Sequence, residues 1–103
     1  MDLRTVLSEA IQPYAGEMLN GFAYLTISID QSVYSVVSVA KLKSERVKHL
    51  SLLVRVVGET VIIEHDDTDQ PLIDALLHAG IPRSQIILAY AGEPVPDSAE
   101  GAA

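Results

Sequence analysis

Hydrophobic spacing along the chain changes period several times, and each change marks a new element. In LRTVLSEAIQ (3–12), Leu3, Val6, Leu7, Ala10 and Ile11 recur at helical spacing, and Pro13 and Gly16 end that helix. FAYLTISI (22–29) alternates instead: Leu25, Ile27 and Ile29 face one way and Thr26 and Ser28 the other, as in a strand. After a turn at DQS, VYSVVSVA (33–40) is a second β-rich run. KLKSER (41–46) is polar and charged and reads as a loop between strands. VKHLSLLVRVV (47–57) is a third strand, with Leu50, Leu52, Val54 and Val56 on one face and His49, Ser51, Leu53, Arg55 and Val57 on the other. Gly58-Glu59 is a hairpin turn into a fourth strand over 60–65.

A helical stripe follows, formed by Leu72, Ile73, Leu76 and Leu77. Asp69 and Asp74 lie near its start, where the helix dipole favours acids, and His78 lies near its end, where it favours a cation. Gly80 is expected to close the helix in left-handed backbone, and Pro82 prevents its resumption. IILAY (86–90) is a last short strand, and AGEPVPDSAEGAA (91–103) is an acidic tail expected to fray or lie extended. The predicted order is α-β-β-β-β-α-β. It implies a single two-layer α+β domain over 1–90, with a mostly antiparallel sheet and both helices on one face. The other face would carry Leu53, Val57 and further apolar residues, which invites a partner or a second copy of the chain, so a homodimer is expected.

Charge sharpens this picture. The net charge is -7, but residues 41–57 carry Lys41, Lys43, Arg46, Lys48 and Arg55 against Glu45 alone. The acidic total repels phosphate backbones, so direct DNA binding is not expected. The basic segment Lys41, Lys43, Arg46 and Lys48 is the exception, a place where a phosphate or an acidic partner could be met, although a solvated turn between two strands is the favoured explanation. With no cysteine, disulfides and thiolate metal sites are excluded. The opening MDLRTVLSEAIQPYAGEM lacks the basic start and apolar run of a signal peptide, and no apolar run approaches a membrane span, so a cytoplasmic protein is expected.

The densest chemistry is EHDDTD (64–69), with a histidine, four carboxylates and a hydroxyl. Strand alternation puts Glu64 and His65 on opposite faces, which disfavours a shared ion, and His49, His65 and His78 show no HxxxH or HxH spacing. No nucleophile motif, calcium loop or phosphate-cradling glycine pattern is present, so neither catalytic residues nor a metal or cofactor are expected. The stretch reads instead as a helix entrance: Asp66 and Asp67 turn the chain, and Thr68 or Asp69 caps the amides that follow.

VIIEHDDTDQPLIDALLHAGIPRSQIILAY resembles the closing half of the XisI-like family. There a strand of the kind KIWIQRDGTE runs into a helix and then AGIPKEDIVLGF. Asp66, Asp67, Thr68 and Asp69 stand for the DGTE turn. Ala79, Gly80, Ile81 and Pro82, with Ile86 and Leu88 beyond them, stand for the helix end and strand. Upstream, Asp30-Gln31-Ser32-Val33-Tyr34 and the helix ending in Tyr14-Ala15 also fit. This chain differs in having no tryptophan, in Asp67 for the family's glycine, and in GEPVPDSAEGAA for the ending PPxxRxYTxFAxA. With glycine replaced, the turn requires a left-handed Asp67. The resemblance implies a non-enzymatic α+β regulatory protein that controls excision of a DNA element, together with a XisH-like partner of nuclease fold and a site-specific recombinase. A small-ligand sensor binding a metabolite at a homodimer interface is the competing reading, supported by fold class alone.

Overall fold

The computed structural model describes residues 2–96; residues 97–103 of the acidic tail lie outside them. Six strands form one sheet: β1 (Gly16–Met18), β2 (Gly21–Ile27), β3 (Val33–Leu42), β4 (Glu45–Val57), β5 (Thr60–Asp66) and β6 (Ile86–Leu88). Their spatial order repeats their chain order, and every pairing is antiparallel except β5 with β6. That last pair is parallel because the chain crosses over through helix α2 (Leu72–His78). Helix α1 (Leu3–Ile11) precedes the sheet. Val6, Leu7 and Ile11 of α1 and Leu72 and Leu76 of α2 share one core with Tyr34, Val36, Leu52, Val54, Val56, Val61 and Ile63. The α+β architecture with one helix-covered sheet face is therefore as expected.

Four local expectations are corrected. The chain after α1 does not simply stop at Gly16: it makes a further strand, β1, returning through Leu19-Asn20 with Asn20 in left-handed backbone. Ile29 lies beyond β2 and is fully exposed, not in the core face. KLKSER is not a loop. Strands β3 and β4 run through it, Lys41 pairs with Arg46, and the turn is only Lys43-Ser44, both at positive φ as a two-residue hairpin turn demands. The last correction concerns β4, where Val36 pairs with Leu52 but Val37 pairs with Leu50, leaving Ser51 as an extra residue. Paired residues share a face. Leu50 therefore sides with outward Val37, away from Leu52, while His49 sides with buried Ser38. A β-bulge inverts the alternation, and no hydrophobic pattern announces it.

Candidate functional site

EHDDTD is the mouth of α2, and the side chains from Glu64 to Thr68 each have their own partners. Asp66 ends β5 and is the hub. Its Oδ1 accepts from the Thr68 amide at 3.0 Å and lies 2.7 Å from the Thr68 hydroxyl, while its Oδ2 accepts from the Leu72 amide at 2.7 Å. One carboxylate thus closes the turn and satisfies an orphan donor of the helix's first turn. The expected capping by Thr68 or Asp69 does not occur, because Pro71 occupies the cap position and offers no side-chain bond. The Thr68 hydroxyl is also 2.9 Å from the Gln70 carbonyl, which accepts from the Tyr14 hydroxyl at 2.6 Å. That bond ties the segment after α1 to the entrance of α2. Burial, followed by the nearby Asp66 and Asp74 carboxylates, raises the Tyr14 pKa above that of a free phenol.

Asp67 is not left-handed; among the described residues the positive-φ positions other than glycine are Asn20, Gln31, Lys43 and Ser44. Glycine is dispensable here because the position does not take a positive φ; the Asp67 amide donates to the Ser51 carbonyl at 3.1 Å, extending the pairing of β5 with β4 to the bulge. The Asp67 carboxylate then reaches His49 Nε2 at 2.7 Å, with His65 Nε2 at 3.5 Å. Sequence spacing gave no sign that these histidines meet, since the inverted alternation at Ser51 is what turns His49 toward Asp67.

A second bulge lies on β5, where Leu53 pairs with His65 and Val54 with Ile63, leaving Glu64 extra. The alternation argument separating Glu64 from His65 therefore fails. They are held apart by their partners instead. Glu64 pairs with Arg55 at 2.8 Å, and His65 Nε2 lies 3.0 Å from the Leu50 carbonyl. A carbonyl only accepts, so this nitrogen carries the proton and its lone pair is not offered to an ion. Among the described residues no group of three or more histidine and carboxylate side chains is arranged to hold a metal. Asp69 is exposed beside them.

The other family-motif residues terminate α2. The Ile81 amide donates to the Leu76 carbonyl and the Gly80 amide to the Leu77 carbonyl, both at 3.0 Å, with Gly80 at φ 100°. This is a Schellman stop, and Ile81 supplies its buried apolar contact. Ala79 is the C-cap, Pro82 begins the turn beyond, and Ile86 and Leu88 are the ends of β6. Past β6, Glu93 folds back: its Oε1 accepts from the Leu88 amide at 2.9 Å, and its Oε2 meets Arg83 at 2.5 Å. The Leu88 amide first, and the Arg83 guanidinium second, lower the Glu93 pKa.

The basic candidates Lys41, Lys43, Arg46 and Lys48 are all exposed on the β3–β4 ribbon. Lys48 adjoins His49, the partner of Asp67, so the ribbon begins beside the α2 entrance.

The XisI family model, described as XisI protein, matches residues 3–100. This chain belongs to the XisI family. Two solved structures share its fold. The fdxN element excision controlling factor XisI from Anabaena variabilis is 25% identical, with 95% of this chain and 94% of that chain covered and a TM-score of 0.66. A XisI-like protein from the same organism is 15% identical, with 84% of this chain and 78% of that chain covered and a TM-score of 0.65. No curated protein matches the chain. The family match extends past residue 90, into the tail whose ending departs from the family's PPxxRxYTxFAxA.

Proposed function

We propose that this XisI-family protein is a non-enzymatic regulatory factor that acts through protein contacts in the excision of a DNA element. Its partners in this reading are a XisH-like protein of nuclease fold and a site-specific recombinase. The observation that carries the reading is the likeness, along nearly the whole of both chains, to a protein described as an fdxN element excision controlling factor. The charge distribution supports it. Asp67, Asp69 and Asp74 are exposed at the entrance of α2 and along it, in a chain of net charge -7. Such a surface attracts a basic protein and repels a phosphate backbone, so contact with DNA passes through the partner.

Co-expression with the nuclease-fold and recombinase proteins of the same host tests this. A complex should be captured, and reversing Asp67, Asp69 and Asp74 to lysine should weaken it by roughly tenfold or more. A capture from the host that returns neither class of partner removes the reading. A small-ligand sensor is the second reading. One observation favours it: a cleft of about 300 Å³ lined by Asp2, Arg4, Thr5, Ser8 and Gln31. A metabolite that raises the melting temperature of the wild type but not of Arg4→Ala would put the sensor first.

A further inference from the structure

Tyr34 is only 1% exposed and is the largest side chain that the core buries. A buried phenol usually finds a hydrogen-bond partner. The Tyr34 hydroxyl takes none among the described residues, yet it is not shut away from solvent. It opens on the cleft of about 300 Å³ beside α1, where β2 ends and β3 begins, and Tyr34 is one of that cleft's walls. Burial raises the Tyr34 pKa, with Arg4 acting against the rise and Asp2 adding to it. The hydroxyl therefore keeps its proton and is available as a donor. Arg4 stands in the same cleft. Its Nε donates to the Gln31 carbonyl at 3.2 Å, which fixes the guanidinium and leaves both Nη groups uncommitted among the described residues. The turn offering that carbonyl is itself tied down. There Asp30 accepts from the Ser32 and Ser28 hydroxyls and the Ser32 amide, which hold its pKa down to about 2. Asp2 does not pair with the Arg4 side chain, because it caps α1 through the Arg4 amide at 3.4 Å and the Thr5 hydroxyl at 3.1 Å. Glu9, one turn beyond Thr5, is the second carboxylate of the cleft and is exposed. Ile27 pairs with Tyr34 and so shares the helix-covered face, but it stays 39% exposed as an apolar wall.

We propose that this cleft binds a free α-amino acid with an apolar side chain. Its carboxylate meets Arg4 and the Tyr34 hydroxyl, its ammonium lies toward Glu9, and its side chain lies on Ile27. This assignment rests on the small-ligand reading and names its ligand class. A fixed guanidinium and a phenol together donate to a carboxylate in set directions. Charge favours a zwitterion over a phosphate. The cleft holds one cation, Arg4, against Asp2 and Glu9, which would leave a phosphate of about -1.5 to -2 charge uncompensated. Size favours a single amino acid, since about 300 Å³ is at the lower limit for ligand sites, roughly 300–1,000 Å³. None of the walls is among the acids Asp67, Asp69 and Asp74 assigned to the XisH-like partner, so the two bindings can be tested separately.

Calorimetric titration and thermal shift of the full chain decide it, with L-leucine as the probe. Leucine should bind and raise the melting temperature. Isocaproate, which is leucine without its ammonium, and isoamylamine, which is leucine without its carboxylate, should each bind roughly tenfold more weakly or worse. Tyr34→Phe keeps the packed ring and removes only the hydroxyl, so it should weaken leucine roughly tenfold. Arg4→Ala should weaken it further. Glu9→Gln, at an exposed position with circular dichroism as the folding control, should bring leucine down to the affinity of isocaproate. Leucine bound equally by wild type, Tyr34→Phe and Glu9→Gln overturns the proposal. Isocaproate or inorganic phosphate bound as tightly as leucine also overturns it, and if Arg4→Ala abolishes that binding the small-ligand reading survives with another ligand. If no standard amino acid raises the melting temperature the proposal falls, and a library of common metabolites equally without effect removes the small-ligand reading with it.

Discussion

Asp66 and Asp67 are adjacent and chemically identical, yet the structure gives them very different weights. Asp66 is partly buried and holds three donors across six residues of chain. Asp67 is exposed and makes a surface ion pair with His49. Asp66→Ala should therefore cost about 1–2 kcal/mol, the range for losing a helix-capping carboxylate. Asp67→Ala should change stability by about 0.5 kcal/mol or less. Urea unfolding of the two variants measures the contrast, and equal costs would show that the hub is not where the geometry puts it. Asp30 adds a pH dependence. Its folded pKa of about 2 lies below the ordinary aspartate value of 3.8. Its stabilisation is therefore present above the unfolded value and is lost as pH falls through the folded one. Wild type should lose stability between about pH 4 and pH 2 more steeply than Asp30→Asn, as acid titration of the far-ultraviolet signal would record. At this scale the sequence revealed the place but not the roles. EHDDTD was legible as a helix entrance from the leucine stripe that follows it. A cap reaching from 66 to 72 over Pro71 has no standard spacing to recognise.

Elements that obey one period along their length were legible; elements that change period were not. The stripes of α1 and α2 needed no correction beyond their ends, whereas the run 60–65 was placed as a strand but hid the bulge at Glu64. Strand β4 contains a bulge, so its first residues follow the opposite alternation from its last. The ribbon looked like a loop because its charges outnumber its apolar residues, yet a two-residue turn with both φ positive pairs those charged positions across strands. Strand β1 was hidden behind Pro13 and Gly16, which read as stop signals and do stop the helix, without preventing a strand from following. The end of α2 was the most legible feature, since Gly-Ile-Pro spells a left-handed residue, an apolar contact and a block to further helix. Gly80→Ala should destabilise by about 1 kcal/mol or more, because alanine is strained at φ 100°. Nothing lies within 4 Å of the added methyl. The cost should therefore appear as a shift in denaturation midpoint with unchanged slope, and a neutral Gly80→Ala would contradict it.

Across the whole molecule, the order of elements read from the hydrophobic periodicity implied the fold class correctly, and the charge sums along the chain anticipated a basic segment on an acidic body. They could not show that this segment is a projecting ribbon, or that its cations share one face with Phe22 and Tyr24, because both depend on register. No helix among the described residues is long and apolar enough to cross a membrane.

The sheet order, β1 through β6 in chain sequence, has a kinetic consequence. Pairings from β1 to β5 each join chain neighbours across a short turn, so little loop-closure entropy is lost at each step. Only β6 must wait for α2 to form and cross over. Folding should accordingly take milliseconds rather than seconds, fast for a chain this rich in strand. The β3–β4 pairing should belong to the rate-limiting nucleus, with β6 docking afterwards. In stopped-flow refolding, Val36→Ala should slow folding, whereas Ile86→Ala should chiefly speed unfolding. The reverse pattern would mean that the crossover, and not the ribbon, is what the chain must find first.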